Sequence, residues 1–388
     1  MTRSSTVTSA DLPPIAISFN KPSLTGRELE YIAEAIRNGH TAGAGPFARR
    51  AQQLLESILG VPSVLLTTSC THALEMAALL LDIKEGDEVI VPSFTFVSTA
   101  NAFVLRGAKP VFIDIRPDTL GMDESQIERL VTPRTRAIVP VHYAGVACEM
   151  DAISSMASQR GIAVIEDNAH GLFGRYKGRL LGTFGALATQ SFHETKNISC
   201  GEGGALLIND PELIRRAEII REKGTDRARF HRGQIDKYTW VDVGSSYVQS
   251  DILAAHLLAQ LEARDEVQSA RHRIWSTYYE RLDDWASANG VKLPVTPPHR
   301  DQPYHMFYLI LPTYAARQEL IARLRRRGIL AVFHYVPLHS SPMGRRFGAA
   351  HCPVTDRISD TLVRLPFYNT LTDHEQTRVI DEITSFRP

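Results

Sequence analysis

One lysine of the sequence, Lys196, stands in a setting that suits imine chemistry. It follows an apolar run at residues 188–192, precedes a glycine-rich turn, and is followed by a second apolar run at residues 205–209. An amine at the end of a strand can reach into a cleft and form a Schiff base with a carbonyl compound. Because most lysines beside turns are solvated surface groups, this pattern needs support from other stretches of the chain.

A second stretch, residues 162–170, ends an apolar run with Glu166, Asp167 and His170. In open α/β sheets, ligands bind at the carboxyl ends of the strands. Side chains alternate along a strand, so only one of the two acids can face the cleft, and we predict that it is Asp167. A carboxylate against a pyridine nitrogen keeps that nitrogen protonated and makes the ring an electron sink. His170 could reach a phenolic oxygen of the same ring; the alternatives are a helix N-terminal acid pair and a structural histidine.

A third stretch, residues 67–71, places hydroxyl groups ahead of a predicted helix at residues 73–81. Free N–H groups and hydroxyls at a helix start suit a phosphate, although an ordinary N-cap needs only one such residue. Phe94 or Phe96 could stack on a planar cofactor, with core packing as the alternative. Ser191 could supply a further phosphate hydroxyl. A phosphate cradle, an acid, a serine and a lysine on successive strand ends together fit pyridoxal phosphate.

The elements that must position these residues alternate along the chain. Strands are predicted at residues 63–68, 88–94, 110–115, 137–143, 162–167 and 188–192, with helices between most of them, for example at residues 125–131 and 150–160. This alternation indicates a mainly parallel sheet with helices on both faces. The turn at residues 197–202 is too short for a parallel crossover, so residues 203–209 should form an antiparallel strand.

The remaining stretches complete the predicted organisation. Helices are predicted at residues 25–38, 211–223, 251–285, 319–327 and 375–386, strands at residues 304–311 and 330–333, and a functional loop at residues 224–240. We expect a disordered tail at residues 1–16, a large α/β domain at residues 17–260 and a smaller α+β domain at residues 261–388. Residues 43–48 match a dinucleotide fingerprint only superficially, because a helix and not a strand precedes them.

Composition excludes several classes of function. Lys+Arg and Asp+Glu both total 43 in 388 residues, which gives no electrostatic reason to expect nucleic acid or an anionic membrane. The four cysteines form no Cys-x-x-Cys pair, so we expect no metal site, no disulfide framework and a reducing cytoplasm. No apolar run suits a signal peptide or a membrane span.

Several of these stretches also carry a resemblance to a known family. Thr-Ser-Cys-Thr (68–71), Pro-Ser-Phe-Thr-Phe (92–96), Pro-Val-His-Tyr-Ala-Gly (140–145), Glu-Asp-Asn-Ala-His (166–170) and Ser-Phe-His-Glu-Thr-Lys (191–196) resemble the motifs of the DegT/DnrJ/EryC1/StrS sugar aminotransferases. The resemblance runs from about residue 19 to the C-terminus. Through residues 98–107, 236–240 and 333–339 it comes nearest to the dTDP-4-amino-4,6-dideoxyhexose transaminases.

The resemblance implies a fold, an assembly and roles for individual residues. It implies the aspartate-aminotransferase fold (type I) and an obligate homodimer with active sites at the subunit interface. The implied contacts of pyridoxal phosphate are Lys196 as the imine partner, Asp167 at the pyridine nitrogen, His170 near the ring, Phe96 stacked on it, and Ser69, Cys70, Thr71 and Ser191 at the phosphate. Ser246 stands where many members have an asparagine that reaches the partner's phosphate. His334 and Tyr335 are implied contacts of the sugar or of the donor carboxylate.

The expected reaction moves the amino group of L-glutamate to the C4 keto group of a dTDP-linked 4-keto-6-deoxyhexose. Lys196 favours transamination over the related dehydratases, which have histidine at this position. Arg229, Arg232 and Lys237 are candidates for binding the diphosphate, with solvated surface charge as the alternative. The alternatives for the whole chain are a 3-keto sugar aminotransferase, a pyridoxal lyase or desulfurase, and a non-catalytic sensor.

Overall fold

The computed structural model describes residues 12–388 of the chain. Most of the predicted disordered tail, residues 1–11, therefore lies outside the described residues. The strands are β1 (Ser63–Thr67), β2 (Glu88–Pro92), β3 (Lys109–Ile113), β4 (Thr135–Ile138), β5 (Ala163–Asp167), β6 (Arg175–Tyr176), β7 (Arg179–Leu180), β8 (Leu187–Ser191), β9 (Gly204–Ile208), β10 (Arg300–Asp301), β11 (Tyr308–Ile310) and β12 (Leu362–Arg364). The helices are α1 (Glu28–Arg37), α2 (Pro46–Leu59), α3 (Cys70–Leu80), α4 (Ser98–Val104), α5 (Ile127–Leu130), α6 (Met150–Gln159), α7 (Ile214–Arg221), α8 (Arg227–His231), α9 (Asp251–Glu262), α10 (Arg264–Ala288), α11 (Tyr314–Arg326), α12 (Pro353–Thr361) and α13 (Asp373–Thr384).

A seven-stranded sheet in the order β1-β9-β8-β5-β4-β2-β3 forms the centre of the molecule. Strand β9 pairs antiparallel with β1 and β8, and the other pairs in this sheet are parallel. The prediction of a mainly parallel, mixed sheet is confirmed, including the reversed strand after the glycine-rich turn. The carboxyl ends of β5 and β8 therefore lie side by side, and they carry Asp167 and Ser191 at one edge of the sheet.

Alternating side chains divide the core between the two faces of this sheet. In β1, Leu65 joins one hydrophobic cluster, whereas Val64 and Leu66 join another. In β5, Ile165 and Val164 separate in the same way. Helices α3, α4 and α7 cover one face, and α1, α2, α6 and α9 cover the other. The strands are thus buried on both sides, as parallel strands between helices require.

A separate hydrophobic cluster joins α10, α11 and α13 to β11 and β12. Two buried polar groups fix its edges, since the Tyr278 hydroxyl donates to the Pro366 carbonyl and the Trp285 Nε1 donates to the Phe386 carbonyl, each at 3.0 Å. Ile17 also packs into this cluster. The predicted domain boundary between residues 260 and 261 lies close to the start of α10 and stays a prediction.

The helix predicted at residues 251–285 is interrupted, which corrects the sequence interpretation. Ala263 leaves helical geometry and separates α9 from α10. The break lets α9 pack with α1 and α2 while α10 packs with α13, so that α9 and most of α10, from Ile274 onward, bury their apolar faces in different clusters. Apolar periodicity alone does not reveal such a change of partner.

Other elements also differ from the sequence interpretation. Residues 330–333 do not form a strand; instead, Val332 makes a single bridge to Arg364 at the end of β12. Helix α2 begins in the rejected fingerprint, with Gly45 as its N-cap and Pro46 as its first residue. Proline at this position is compatible with a helix because its missing N–H would have no intrahelical acceptor. No helix within residues 12–388 combines the length and the apolar character needed to cross a membrane.

Candidate active site

A cavity of about 750 Å³ opens at the edge of the sheet where β5 and β8 end. One side is formed by the loop before α3 and by the ends of β5 and β8, and the other side is formed by residues of the smaller unit around β12. The predicted residues that line it are Ser69, Cys70, Thr71, Phe96, Asp167, His170, Ser191, Lys196, His334 and Tyr335. Stretches far apart in the sequence thus meet at one cavity.

Lys196 follows β8 in the turn that leads to β9, and its side chain reaches the cavity. Burial lowers the pKa of its amine to about 8, and the positive charge of Arg364 acts in the same direction. Cys70 and Asp167 oppose this shift. A larger fraction of the amine is therefore neutral at physiological pH than for a solvated lysine. The neutral amine is the form that attacks a carbonyl carbon.

The two adjacent acids of β5 face opposite sides of the strand, as the alternation of side chains requires. Glu166 is fully buried away from the cavity, where its carboxylate accepts hydrogen bonds from the backbone N–H groups of Gly182, Phe184 and Gly185 at 2.6–2.9 Å. The Nε2 of His142 lies 3.0 Å from the same carboxylate. Glu166 therefore holds the loop after β7 and has no capacity left for a ligand.

Asp167 instead lines the cavity and is held by two local donors. The Thr99 hydroxyl donates to its Oδ2 at 2.7 Å, and the Ala169 N–H donates to its Oδ1 at 3.2 Å. Thr95 lies 2.8 Å from the Thr99 hydroxyl and extends this chain. Sequence reasoning missed both threonines, because nothing local to α4 indicates that it meets the end of β5.

The loop before α3 offers donors of the kind a phosphate needs. The first N–H groups of a helix have no intrahelical acceptor. Among the described residues, the His72 N–H is the only one of these groups in α3 that a side chain accepts, and its acceptor is the Ser69 hydroxyl at 3.1 Å. The Thr71 hydroxyl lies 2.7 Å from that of Ser98. The backbone of this loop packs so tightly on Gly204 of β9 that a Cβ there would lie 2.3 Å from the Ser69 carbonyl carbon. Any residue larger than glycine would push the loop out of position.

Burial raises the pKa of the Cys70 thiol to about 12, and the negative charge of Asp167 adds to this shift. Burial likewise raises the pKa of Cys200 and of Cys352 to about 12. These thiols stay protonated near neutral pH, whereas a nucleophilic cysteine works as a thiolate. Their electrostatics therefore argue against the desulfurase alternative.

Three histidines form a second part of the wall. The rings of His170 and His305 stack with centroids 4.2 Å apart, and the Nδ1 of His334 lies 2.9 Å from the Tyr143 hydroxyl. Burial holds the pKa of all three histidines well below the usual value, and Lys196 and Arg364 add to this effect. The Nδ1 of His170 is buried without a partner among the described residues. Sequence reasoning missed His305, which reaches the cavity from outside any predicted motif.

The two phenylalanine candidates differ in whether they are exposed to the cavity. Phe94 is buried and packs against Tyr143, whereas Phe96 lines the cavity and is 57% exposed. The ring of Phe96 is therefore free to cover a planar ligand.

Four further predicted residues lie outside this cavity in the single chain. Ser246 is exposed and bridges to Glu222. Arg229 lies in α8 and Lys237 in the segment that follows it. Arg232 forms two hydrogen bonds to the Glu218 carboxylate, at 2.8 and 2.9 Å.

The described residues fit pyridoxal phosphate as a bound group. The cavity presents a lysine of lowered pKa, a fixed carboxylate, a helix start with hydroxyls, an exposed aromatic ring and an unpartnered histidine nitrogen. These features match the aldehyde, pyridine nitrogen, phosphate, ring face and phenolic oxygen of that cofactor. The fold and the site thus define a pyridoxal phosphate enzyme.

The chain belongs to the DegT/DnrJ/EryC1/StrS aminotransferase family, whose model matches residues 22–384. It is 31% identical over 381 residues to the uncharacterized protein MJ1066 from Methanocaldococcus jannaschii, with 96% of each chain covered. Among the solved structures similar to it is the aminotransferase TlmJ from Streptoalloteichus hindustanus, with 29% identity, a TM-score of 0.87, and coverage of 95% of this chain and 98% of TlmJ. Another is DesV from S. venezuelae, with 31% identity, a TM-score of 0.85, and coverage of 96% of this chain and 98% of DesV.

These findings confirm the family, the type I aminotransferase fold and the cofactor expected from the sequence. The chain is a pyridoxal phosphate-dependent sugar aminotransferase. When bound, the cofactor supplies an aldehyde that condenses with amines and a ring that accepts the electron pair of a broken C–H bond.

Proposed function

We propose that this enzyme moves the amino group of L-glutamate to the C4 keto group of a dTDP-linked 4-keto-6-deoxyhexose, giving a dTDP-4-amino-4,6-dideoxyhexose. The observation that carries the amino-transfer part is the meeting of Lys196 and Asp167 at one cavity, with the pKa of the lysine lowered to about 8. The choice of a C4 keto sugar rests on the resemblance of residues 98–107, 236–240 and 333–339 to the corresponding transaminases.

In this proposal Lys196 is the imine partner and the general acid/base. Its Nζ takes the proton from Cα of the donor and gives a proton to C4 of the sugar during amination. A lysine of ordinary pKa would be almost wholly protonated at neutral pH and would make a poor base for the first step. The lowered pKa of Lys196 therefore suits both directions of proton transfer.

The remaining cofactor contacts follow from the walls of the cavity. Asp167 holds the proton on the pyridine nitrogen, and Thr99 orients its carboxylate. His170 faces the ring, and Phe96 covers it. The residues proposed for the phosphate are Ser69, Cys70, Thr71 and Ser191.

We further propose a homodimer with shared active sites. Ser246, Arg229, Arg232 and Lys237 lie outside the cavity of their own chain, so roles for them in binding phosphate or diphosphate require the partner's cavity. Arg232 would have to leave Glu218 to take such a role. His334 and Tyr335 line their own chain's cavity and are proposed to contact the sugar or the donor.

The direct test incubates the protein with L-glutamate and dTDP-4-keto-6-deoxyglucose and assigns the product by NMR. An amine at C4 supports the proposal, and the proton coupling constants distinguish the glucose from the galactose configuration. Amination of only a 3-keto sugar would favour the first alternative. Lys196→Ala should abolish turnover, whereas exchange of the exposed Lys292 for alanine should not.

A further inference from the structure

Arg364, which no sequence motif indicated, is fixed at the cavity by its backbone. It ends β12, where it pairs with Tyr308 of β11. On the other side its N–H donates to the Val332 carbonyl at 2.7 Å, and the Val332 N–H donates back at 3.1 Å. Since neighbours hold this backbone from both sides, the side chain enters the cavity from a rigid position.

In the part of the chain that the structure describes, the guanidinium of Arg364 has no anionic partner. Within residues 12–388, its side chain donates no hydrogen bond, and no carboxylate lies within 4.0 Å of it. Its Nε is buried and unpaired. The ring of Phe19 lies 4.5 Å from the guanidinium carbon, but such a contact uses one face of the group and leaves its N–H edges without acceptors.

Two other arginines with buried side chains have acceptors for several of their N–H groups. Arg271 donates to the carbonyls of Tyr304 and His305 and to the side chain of Asn369. Arg300 pairs with Glu149. A buried charge without a partner is strongly unfavourable. Arg221 also has a buried, unpaired Nε, but its Nη1 donates to the Gln52 Oε1 at 2.8 Å, whereas the Arg364 side chain donates no hydrogen bond within residues 12–388.

The residues that line the cavity offer no free carboxylate that could pair with the Arg364 guanidinium. Of its lining residues, Asp167 and Glu202 are acids. Asp167 is held by Thr99 and the Ala169 N–H, and Glu202 lies beside His193 at 3.6 Å. The positive charge of Arg364 instead contributes to lowering the pKa of Lys196. An anion brought by a ligand would satisfy the guanidinium and lie close to the reacting amine.

We propose that Arg364 is the receptor for a carboxylate of the amino donor. This inference rests on the proposed function, because it assigns a place to the L-glutamate named there. A guanidinium fork binds one carboxylate through two parallel N–H···O bonds, and a single arginine balances its single charge. A nucleotide diphosphate carries more charge and is typically bound by several cations, so it fits this isolated group less well.

The experiment compares holoenzymes of the wild type, Arg364→Gln, Arg364→Lys and Arg317→Gln. Arg317 is a suitable control because it is buried and, like Arg364, lies near an aromatic ring, 5.0 Å from that of Tyr314, but is outside the cavity. Arg364→Lys keeps the charge and removes the fork. Cofactor content and melting temperature are measured for each variant, so that a loss of fold is separated from a loss of binding.

The first readout is the conversion of the cofactor to its amine form at varied L-glutamate concentration. Loss of two charge-assisted hydrogen bonds should raise the half-saturating concentration of glutamate roughly 100-fold in Arg364→Gln and about tenfold in Arg364→Lys. Arg317→Gln should match the wild type. The return reaction of the aminated enzyme with the dTDP-keto sugar should keep its concentration dependence in every variant.

The second readout is calorimetric binding of glutarate, an unreactive dicarboxylate, and of dTDP. Glutarate should bind the wild type and Arg317→Gln but bind Arg364→Gln at least about 30-fold more weakly. Equal binding to the wild type and Arg364→Gln, or weakened binding of dTDP alone, would overturn the inference. If glutarate binding depends on Arg364 but glutamate does not convert the wild-type cofactor, the carboxylate site stands and the proposed donor is wrong.

Discussion

The two walls of the cavity differ in how far the protein satisfies its own polar groups. We call the residues at the strand ends, Ser69–Thr71, Asp167, Ser191 and Lys196, the sheet wall. We call His305, His334, Tyr335 and Arg364 the small-domain wall. In the sheet wall the carboxylate of Asp167 has protein donors, whereas in the small-domain wall the guanidinium of Arg364 has no acceptor among residues 12–388.

This difference indicates that the two walls have different functions, one suited to the cofactor and the other to the substrate. A resident cofactor requires fixed groups whose positions do not change between turnovers, and the sheet wall provides them. A substrate that enters and leaves is better served by groups whose hydrogen bonds it completes itself. The unpaired guanidinium of Arg364 is therefore the group of the small-domain wall at which we propose that a substrate carboxylate binds.

The largest predicted effect concerns the acid of the sheet wall. Asp167→Asn should lower turnover by about 10³-fold, because an amide cannot hold a proton on the pyridine nitrogen. Steady-state rates of this variant and of Asp265→Asn, whose side chain is 91% exposed, provide the measurement and its control. A loss of less than about tenfold would remove Asp167 from its proposed role.

Substitution of Glu166, the acid next to Asp167, should lower the stability of the protein and leave its chemistry unchanged. Glu166→Gln places an N–H₂ group where backbone N–H groups now meet a carboxylate, so it should lower the free energy of unfolding by about 3 kcal/mol. Denaturant titration measures this, with Glu128→Gln as the exposed control. Equal stability of the two variants would contradict the assignment of Glu166 as a structural acid.

A pH dependence links the two walls. Burial lowers the pKa of Lys196 from its usual value to about 8, so the apoprotein should take up pyridoxal phosphate faster as pH rises through about 8 and then reach a plateau. Below this range the amine is protonated and unreactive. Because Arg364 contributes to lowering this pKa, Arg364→Gln should move the midpoint to higher pH. Stopped-flow reconstitution rates at stepped pH measure both effects, and an unmoved midpoint would show that the walls are not coupled.

The smallest predicted effect concerns Thr99, whose hydroxyl donates to Asp167 of the sheet wall. Thr99→Val removes the donor to Asp167 Oδ2 and should lower turnover about tenfold. Thr99→Ser keeps the hydroxyl and should restore most of the rate. If valine and serine behave alike, packing of the methyl group and not the hydrogen bond is what matters at this position.

The same comparison explains how much could be predicted from the sequence. The sheet wall is built from residues at strand ends, where local patterns such as Glu166-Asp167 and the hydroxyl-rich run before α3 signal both structure and chemistry. The alternation of strands and helices likewise predicted the sheet, and the short turn at residues 197–202 predicted its reversed strand β9. These features depend on short stretches of chain, which the sequence displays directly.

The small-domain wall depends on contacts between distant segments. The backbone of Arg364 meets that of Val332 across a separation that no local pattern encodes, and in the sheet wall the contact of Thr99 with Asp167 is of the same kind. The break at Ala263 has the same origin, because α9 and α10 bury their faces against different partners. One signal was available: Arg364 interrupts the apolar run Leu-Val-Arg-Leu at residues 362–365, and a charge in such a run is buried only when something pairs with it.

Reduction of the purified holoenzyme with borohydride, followed by peptide mass spectrometry, tests the central assignment most directly. Borohydride converts a Schiff base into a stable amine and so marks the lysine that holds the cofactor. We predict that the pyridoxyl mass will be found on the peptide that contains Lys196. A label on a different lysine, or no label on any, would contradict the account.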